Sequence, residues 1–188
     1  MTINWQHMIK PEKVQVSSDH TYGKFVCEPL ERGYGITIGN SLRRIILSSL
    51  FGAAITTVKF EGVMHEYSVI PGVYEDISEI ILNLKAVRFK ASDMEPRTVR
   101  IEASGQGEIT AGDILSEDGR CEVLNPELHI ATLSEEAVVQ MEMAVRVGKG
   151  YSLAEANKDE EAPVGTIPID AVFSPIRRVN YVIGNARV

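Results

Sequence analysis

The chain has 188 residues, 44% of them hydrophobic, a formal net charge of −7 and a pI near 5.2. The hydrophobic share suffices for a sizeable core and excludes global disorder. The acidic balance argues against a stand-alone grip on DNA or RNA, where phosphate contacts dominate affinity.

The amino terminus lacks a basic-then-apolar leader. No apolar run approaches the roughly 18 residues of a membrane span. The longest, around Ile45, is broken by Arg43 and Arg44. A soluble, cytoplasmic chain with no membrane partner is therefore expected. Cys27 and Cys121 lie far apart without a CxxC pair and read as small core residues.

In chain order, an extended opening leads to a strand at 24–30, closed by Pro29 and the Glu31-Arg32-Gly33 turn. A short helix follows and is expected to stop at Gly52 as its C-cap. Ile38, Leu42, Ile45, Ile46, Ser49 and Leu50 form one stripe at 3.6-residue spacing. Leu47 and Phe51 lie on the other side, beside a narrow strip of Thr37, Ser41, Arg44 and Ser48. A helix with so little charged face points to burial on two sides, hence to association rather than catalysis.

Residues 54–60 are β-rich. Pro71-Gly72 then reads as the start of a second helix, with Val73, Ile77, Ile80, Ile81 and Leu84 on one stripe and Glu75, Asp76 and Glu79 as its solvated face. From Ala86 the period changes to two, over 98–103 and most clearly over 139–147. Gly148-Lys149-Gly150 reads as a turn, 155–163 as a mobile surface loop, and Val179, Tyr181 and Ile183 as a final strand. The fold class is α+β, with few helices and many antiparallel strands. The element order suggests one domain built from both chain ends with the middle inserted.

Chemical motifs are sparse. His7, His20, His65 and His129 have no metal-like spacing, no G-x-S-x-G elbow exists, and neither cysteine sits in a nucleophile signature. Gly33-x-Gly35-x-x-x-Gly39 departs from both dinucleotide and P-loop spacings, so a tight turn admitting another backbone is the simpler reading. A small nucleotide-binding enzyme using the Gly33–Gly39 turn stands as the alternative function. With Leu42 at zero, Arg43 lies at about 100° and Arg44 at about 200° on the helical wheel. Arg44 thus opposes the apolar stripe among small residues, where a guanidinium suits a bidentate contact across an interface.

These segments, taken in order, closely resemble the N-terminal domain of the bacterial RNA polymerase alpha subunit. The matching stretches are 30–35, 37–45, 61–68, 71–77, 81–85, 148–151 and 170–176, including Thr37-Ile38-Gly39-Asn40-Ser41-Leu42-Arg43-Arg44-Ile45 and Asp170-Ala171-Val172-Phe173-Ser174-Pro175-Ile176. The resemblance implies a discontinuous dimerisation domain, 1–51 plus 178–188, and an inserted, mostly antiparallel β-rich domain, 52–177. It implies a non-catalytic assembly subunit of DNA-directed RNA polymerase, a nucleotidyltransferase acting in transcription. Two alpha chains pair, then recruit beta and beta′. The catalytic magnesium belongs to the large subunits, no cofactor or metal to this chain, and DNA is met only through the assembled complex.

Position by position, the resemblance assigns Tyr34, Ile38, Leu42 and Ile45 to the alpha–alpha contact. Arg44, Leu47 and Ser48 face beta, and Lys85, Ile169 and Ile176 lie toward beta′. Family members continue past such a final strand into a further strand, a second dimerisation helix, a linker and a small C-terminal DNA- and activator-binding domain. The sequence here ends at Asn185-Ala186-Arg187-Val188. Promoter binding is therefore not carried over, and weak pairing by this stretch alone is expected, with the apolar stripe partly uncovered.

Overall fold

The structure is a computed structural model that describes residues 9, 13–18, 21–116, 119–159 and 161–185. His7, His20 and Glu160 lie outside the described residues. The elements are β1 (Lys13–Ser18), β2 (Gly23–Glu28), α1 (Tyr34–Ser48), β3 (Phe51–Phe60), α2 (Ile77–Leu84), β4 (Phe89–Ala91), β5 (Arg97–Ser104), β6 (Gly107–Thr110) and β7 (Leu115–Ser116). They continue with β8 (Cys121–Val123), β9 (His129–Leu133), β10 (Val138–Lys149), β11 (Tyr151–Ser152), α3 (Ala154–Asn157), β12 (Thr166–Pro168) and β13 (Ala171–Val172). Among the described residues every strand pairing is antiparallel, so the chain is mostly antiparallel β with few helices.

Two compact units emerge. One holds the described residues up to Leu47 and those from Ile176 onward; the other is Ser48–Pro175.

In the first unit β1 and β2 form a hairpin, with Lys13 opposite Glu28 and Ser18 opposite Gly23. Cys27 on β2 is exposed, which corrects its reading as a core residue. Gly33, at a φ of 87°, turns the chain into α1, where the Tyr34 N–H donates to the Glu31 carbonyl at 3.0 Å. The expected final strand at 179–183 does not form among the described residues. Alternation offers a face, but a strand also needs a bonding edge beside it. Tyr181 and Ile183 lie instead against α1.

The second unit is organised by a seven-stranded sheet in the order β7-β5-β10-β3-β4-β8, with β12 also on β3. Val139, Met141, Met143 and Val145 of β10 point into the core, as their period-two pattern predicts. Ile77, Ile80, Ile81 and Leu84 of α2 join the same core. The β10–β3 register slips between Ala144 and Val145, leaving Thr56 as the extra residue of a bulge. Thr56 is fully buried, and its hydroxyl donates to the Ala144 carbonyl at 3.2 Å. Its own carbonyl accepts the Ile169 N–H at 2.9 Å. The hydroxyl and carbonyl of Thr56 and the carbonyl of Ala144 are thus satisfied, as burial requires.

Two helix boundaries differ from expectation. α1 ends at Ser48, and Gly52 lies inside β3 without a positive φ, so it is no C-cap. A Cβ on Gly52 would stand 1.9 Å from the Phe173 carbonyl oxygen, so glycine serves a backbone crossing there. α2 begins at Ile77 rather than after Gly72. Asp76 is its N-cap, accepting the Glu79 N–H at 2.7 Å. Val73 bridges Leu133 instead of extending the helical stripe.

Likewise α3 occupies the start of the stretch expected to be a surface loop. Asn157 is buried there, its Oδ1 accepting the Ser152 hydroxyl at 2.8 Å and its Nδ2 donating to the Ile169 carbonyl at 2.8 Å.

Candidate assembly surfaces

No residue of α1 is buried, although the helix is rich in isoleucine and leucine. Helical spacing explains how its faces divide. Gly35 and Gly39 lie about 20° and 60° from Leu42 on the wheel. A Cβ on Gly39 would meet the Tyr181 ring at 2.7 Å, and one on Gly35 would meet Ile183 at 3.3 Å. The two glycines therefore open a groove that the 181–183 segment fills. Beside it, Tyr34, Leu42 and Ile45 remain exposed and Ile38 half-buried, a continuous apolar arc of about 80°. This ridge leaves aliphatic surface of α1 open to water.

Arg44 is exposed on the opposite side, with half-buried Leu47 and exposed Ser48 next to it. The Ser48 and Ser49 hydroxyls sit 3.2 Å apart. One helix thus carries an apolar front and a back with a guanidinium, as the residue spacing predicts.

The same geometry weakens the nucleotide-binding alternative. Gly35 and Gly39 lie within α1 and admit the chain's own side chains, whereas a phosphate cradle needs its glycines in the loop before a helix. Gly33 alone precedes the helix.

In the second unit Lys85 directly follows α2. Its ammonium lies 3.2 Å from Asp170 Oδ2, with both side chains about three-tenths exposed. Asp170 Oδ1 accepts the Ala154 N–H at 2.8 Å. That backbone bond, followed by Lys85 and the Tyr151 hydroxyl, holds the Asp170 carboxyl below its ordinary value. Ile169 differs from its sequence-based placement on a contact surface: its side chain is 3% exposed and belongs to the core. It can support a surface but cannot line one. Ile176, in the first unit, is half-buried.

Sequence reading missed one cluster altogether. Glu75 is not on a solvated helix face. It precedes α2 and accepts the Thr132 N–H at 2.7 Å, the Thr132 hydroxyl at 3.0 Å and His129 Nε2 at 2.9 Å. His129 Nδ1 lies 2.7 Å from Glu108. Both ring nitrogens face carboxylates, so both must donate, which requires the imidazolium. Glu75, outweighing the opposing effect of burial and helped by Glu108, raises the His129 pKa. Burial would raise the Glu75 carboxyl, but the Thr132 backbone and His129 bonds prevail and lower it. No spacing signals this trio, because the β6–β9 pairing brings Glu108 to it and the Val73–Leu133 bridge brings Glu75. Met64, Tyr67, Val69 and Tyr74, between β3 and α2, are each exposed, and sequence reading gave them no role.

Residues 58–174 match the family model described as the RNA polymerase Rpb3/RpoA insert domain, a span lying wholly within the second unit. The chain is 69% identical to the DNA-directed RNA polymerase subunit alpha of Desulfosudis oleivorans, covering 100% of this chain and 56% of that protein. It is 62% identical to the subunit of that name from Desulforapulum autotrophicum, over 99% of this chain and 55% of the relative. For the Geobacter metallireducens subunit the identity is 57%, over 98% and 55%. The chain thus spans about half the length of the curated relatives it matches.

Proposed function

This chain belongs to the family of the RNA polymerase Rpb3/RpoA insert domain, and on that premise we propose that it acts as a non-catalytic scaffold in DNA-directed RNA polymerase. Two copies pair through Tyr34, Ile38, Leu42 and Ile45, within a dimerisation domain drawn from both ends of the chain. Arg44, Leu47 and Ser48 meet the beta subunit, and the Lys85 region faces beta′. Nucleotidyl transfer and its magnesium belong to the large subunits, and DNA is met through the assembled enzyme. Cytoplasmic residence follows from that role.

The observation that carries this reading is the division of α1 into two separate faces. An exposed apolar arc and a guanidinium on opposite sides of one short helix suit two partners at once. Apolar burial supplies the pairing energy at about 25 cal/mol per Å², whereas Arg44 supplies orientation and bidentate hydrogen bonding.

The test is Arg44→Ala in the intact subunit. Retention on tagged beta is expected to fall at least about 30-fold, in keeping with an arginine hot spot of about 2 kcal/mol or more. Light scattering after size exclusion should still report the alpha dimer. Wild-type beta retention by the variant would remove the assignment.

A further inference from the structure

Two of the three residues expected on the beta′ side, Ile169 and Lys85, are already engaged within the chain. Ile169 is in the core, and the Lys85 ammonium is already engaged by Asp170 at 3.2 Å. A lysine held in an existing pair gains little by exchanging that pair for another across an interface. Its bond instead joins two distant pieces of the chain, the end of α2 and the segment running from β12 into β13.

Asp170 is the hub of that junction. Its two oxygens have separate tasks, Oδ2 toward Lys85 and Oδ1 toward the Ala154 N–H that opens α3. The Tyr151 hydroxyl donates to the same carboxylate. The preceding residue is pinned on both sides, the Ile169 N–H to Thr56 and its carbonyl to Asn157. Immediately after Asp170, β13 pairs with β11, Tyr151 opposite Val172 and Ser152 opposite Ala171. Tyr151, Leu153 and Val172 stand exposed on and beside this two-stranded ribbon. Inward of Asp170 the chain is held by the Ile169 bonds to Thr56 and Asn157, whereas toward α2 the ribbon is tied by the Lys85 bond.

We propose that Lys85 serves assembly through Asp170, as one half of a clamp that fixes the β11–β13 ribbon for its partner, and that Asp170 is a positioning residue rather than a bystander. This rests on the reading that the Lys85 region faces beta′. On this account the positive charge at position 85 is not itself recognised. A donor reaching Asp170 Oδ2 is what the position requires.

Three variants of the intact subunit, co-expressed with beta and beta′, separate the possibilities. Asp170→Asn keeps an acceptor for Ala154 but turns an amide donor toward Lys85, breaking that side of the clamp. Lys85→Met removes the donor, and Lys85→Gln keeps a neutral one that reaches Oδ2 after a small shift.

The expected result is a loss of beta′ of about 10-fold or more for Asp170→Asn and Lys85→Met, equivalent to at least 1.4 kcal/mol. Beta retention should stay unchanged, and Lys85→Gln should hold beta′ near the wild-type level. Wild-type beta′ retention by Asp170→Asn overturns the proposal. So does a Lys85→Gln subunit as defective as Lys85→Met, since the partner then reads the charge. Thermal melting checks folding, and Lys85→Gln, which leaves the Ala154 bond untouched, remains decisive if Asp170→Asn does not fold. Failure of the wild-type subunit to retain beta′ would instead reject the underlying reading.

Discussion

Gly52→Ala tests the structure most sharply, because sequence and structure assign Gly52 different jobs. A helix C-cap in the left-handed region tolerates Ala at about 1 kcal/mol and Asn at less. A glycine at a backbone crossing tolerates neither. Here an added Cβ stands 1.9 Å from the Phe173 carbonyl oxygen, and that oxygen belongs to backbone, not to a side chain that can swing away. Restoring ordinary contact requires the two strands to part by about 1.5 Å.

That displacement strains the Phe173 N–H bond to the Gly150 carbonyl, 2.8 Å long, worth about 1 kcal/mol net. Overpacking adds about 1–3 kcal/mol. The total of about 2–4 kcal/mol corresponds to a melting point lower by roughly 5–15 °C in a chain of this size. Differential scanning calorimetry of Gly52→Ala and Gly52→Asn reads it directly, with Asn expected to be the worse of the two. An Asn variant melting within about 2 °C of wild type would refute the crossing and restore the cap. Because the crossing at Phe173 directly follows β13, Gly52→Ala should also loosen the Asp170 clamp.

Two further outcomes follow from named contacts. His129 has a raised pKa in the folded chain, so its contribution is complete below its ordinary value of 6.5 and fades as pH rises through the raised one. Glu75 is lowered, so its contribution is complete above 4.5 and fades as pH falls through the lowered value. The stability gap between wild type and His129→Gln should therefore be widest between those two ordinary values. It should stay within about 1 kcal/mol, because His129 and Glu108 are partly solvated; a gap that grows toward alkaline pH in melting curves would contradict the imidazolium bridge. Asp76→Ala removes the cap of α2 and should cost about 1 kcal/mol, a melting shift of 2–4 °C, and an unchanged melting point would show that the Glu79 N–H finds another acceptor.

Local periodicity made much of the fold legible. The alternation at 139–147 became the central strand β10, and the stripe at 77–84 became the buried face of α2. Both signals arise from residues two to four positions apart, which one element brings to one face whatever lies opposite. Where the structure departs from the sequence reading, a distant partner decided. Alternation at 179–183 found no edge to bond and packed on the glycines of α1 instead. The acidic run at 75–79 divided into a partner for His129 and Thr132, an N-cap and one first-turn residue, according to what β9 and the helix start placed next to each.

By itself, then, the sequence determined the α+β class, the two-faced opening helix and the family, because these depend on patterns carried along the chain. Only the tertiary structure decided that Gly52 serves a crossing, that Ile169 is interior and that Lys85 is bound to Asp170. Each of those facts requires residues some 85 to 120 positions apart to meet. Such pairings are set by sheet register and core packing, which no local spacing encodes.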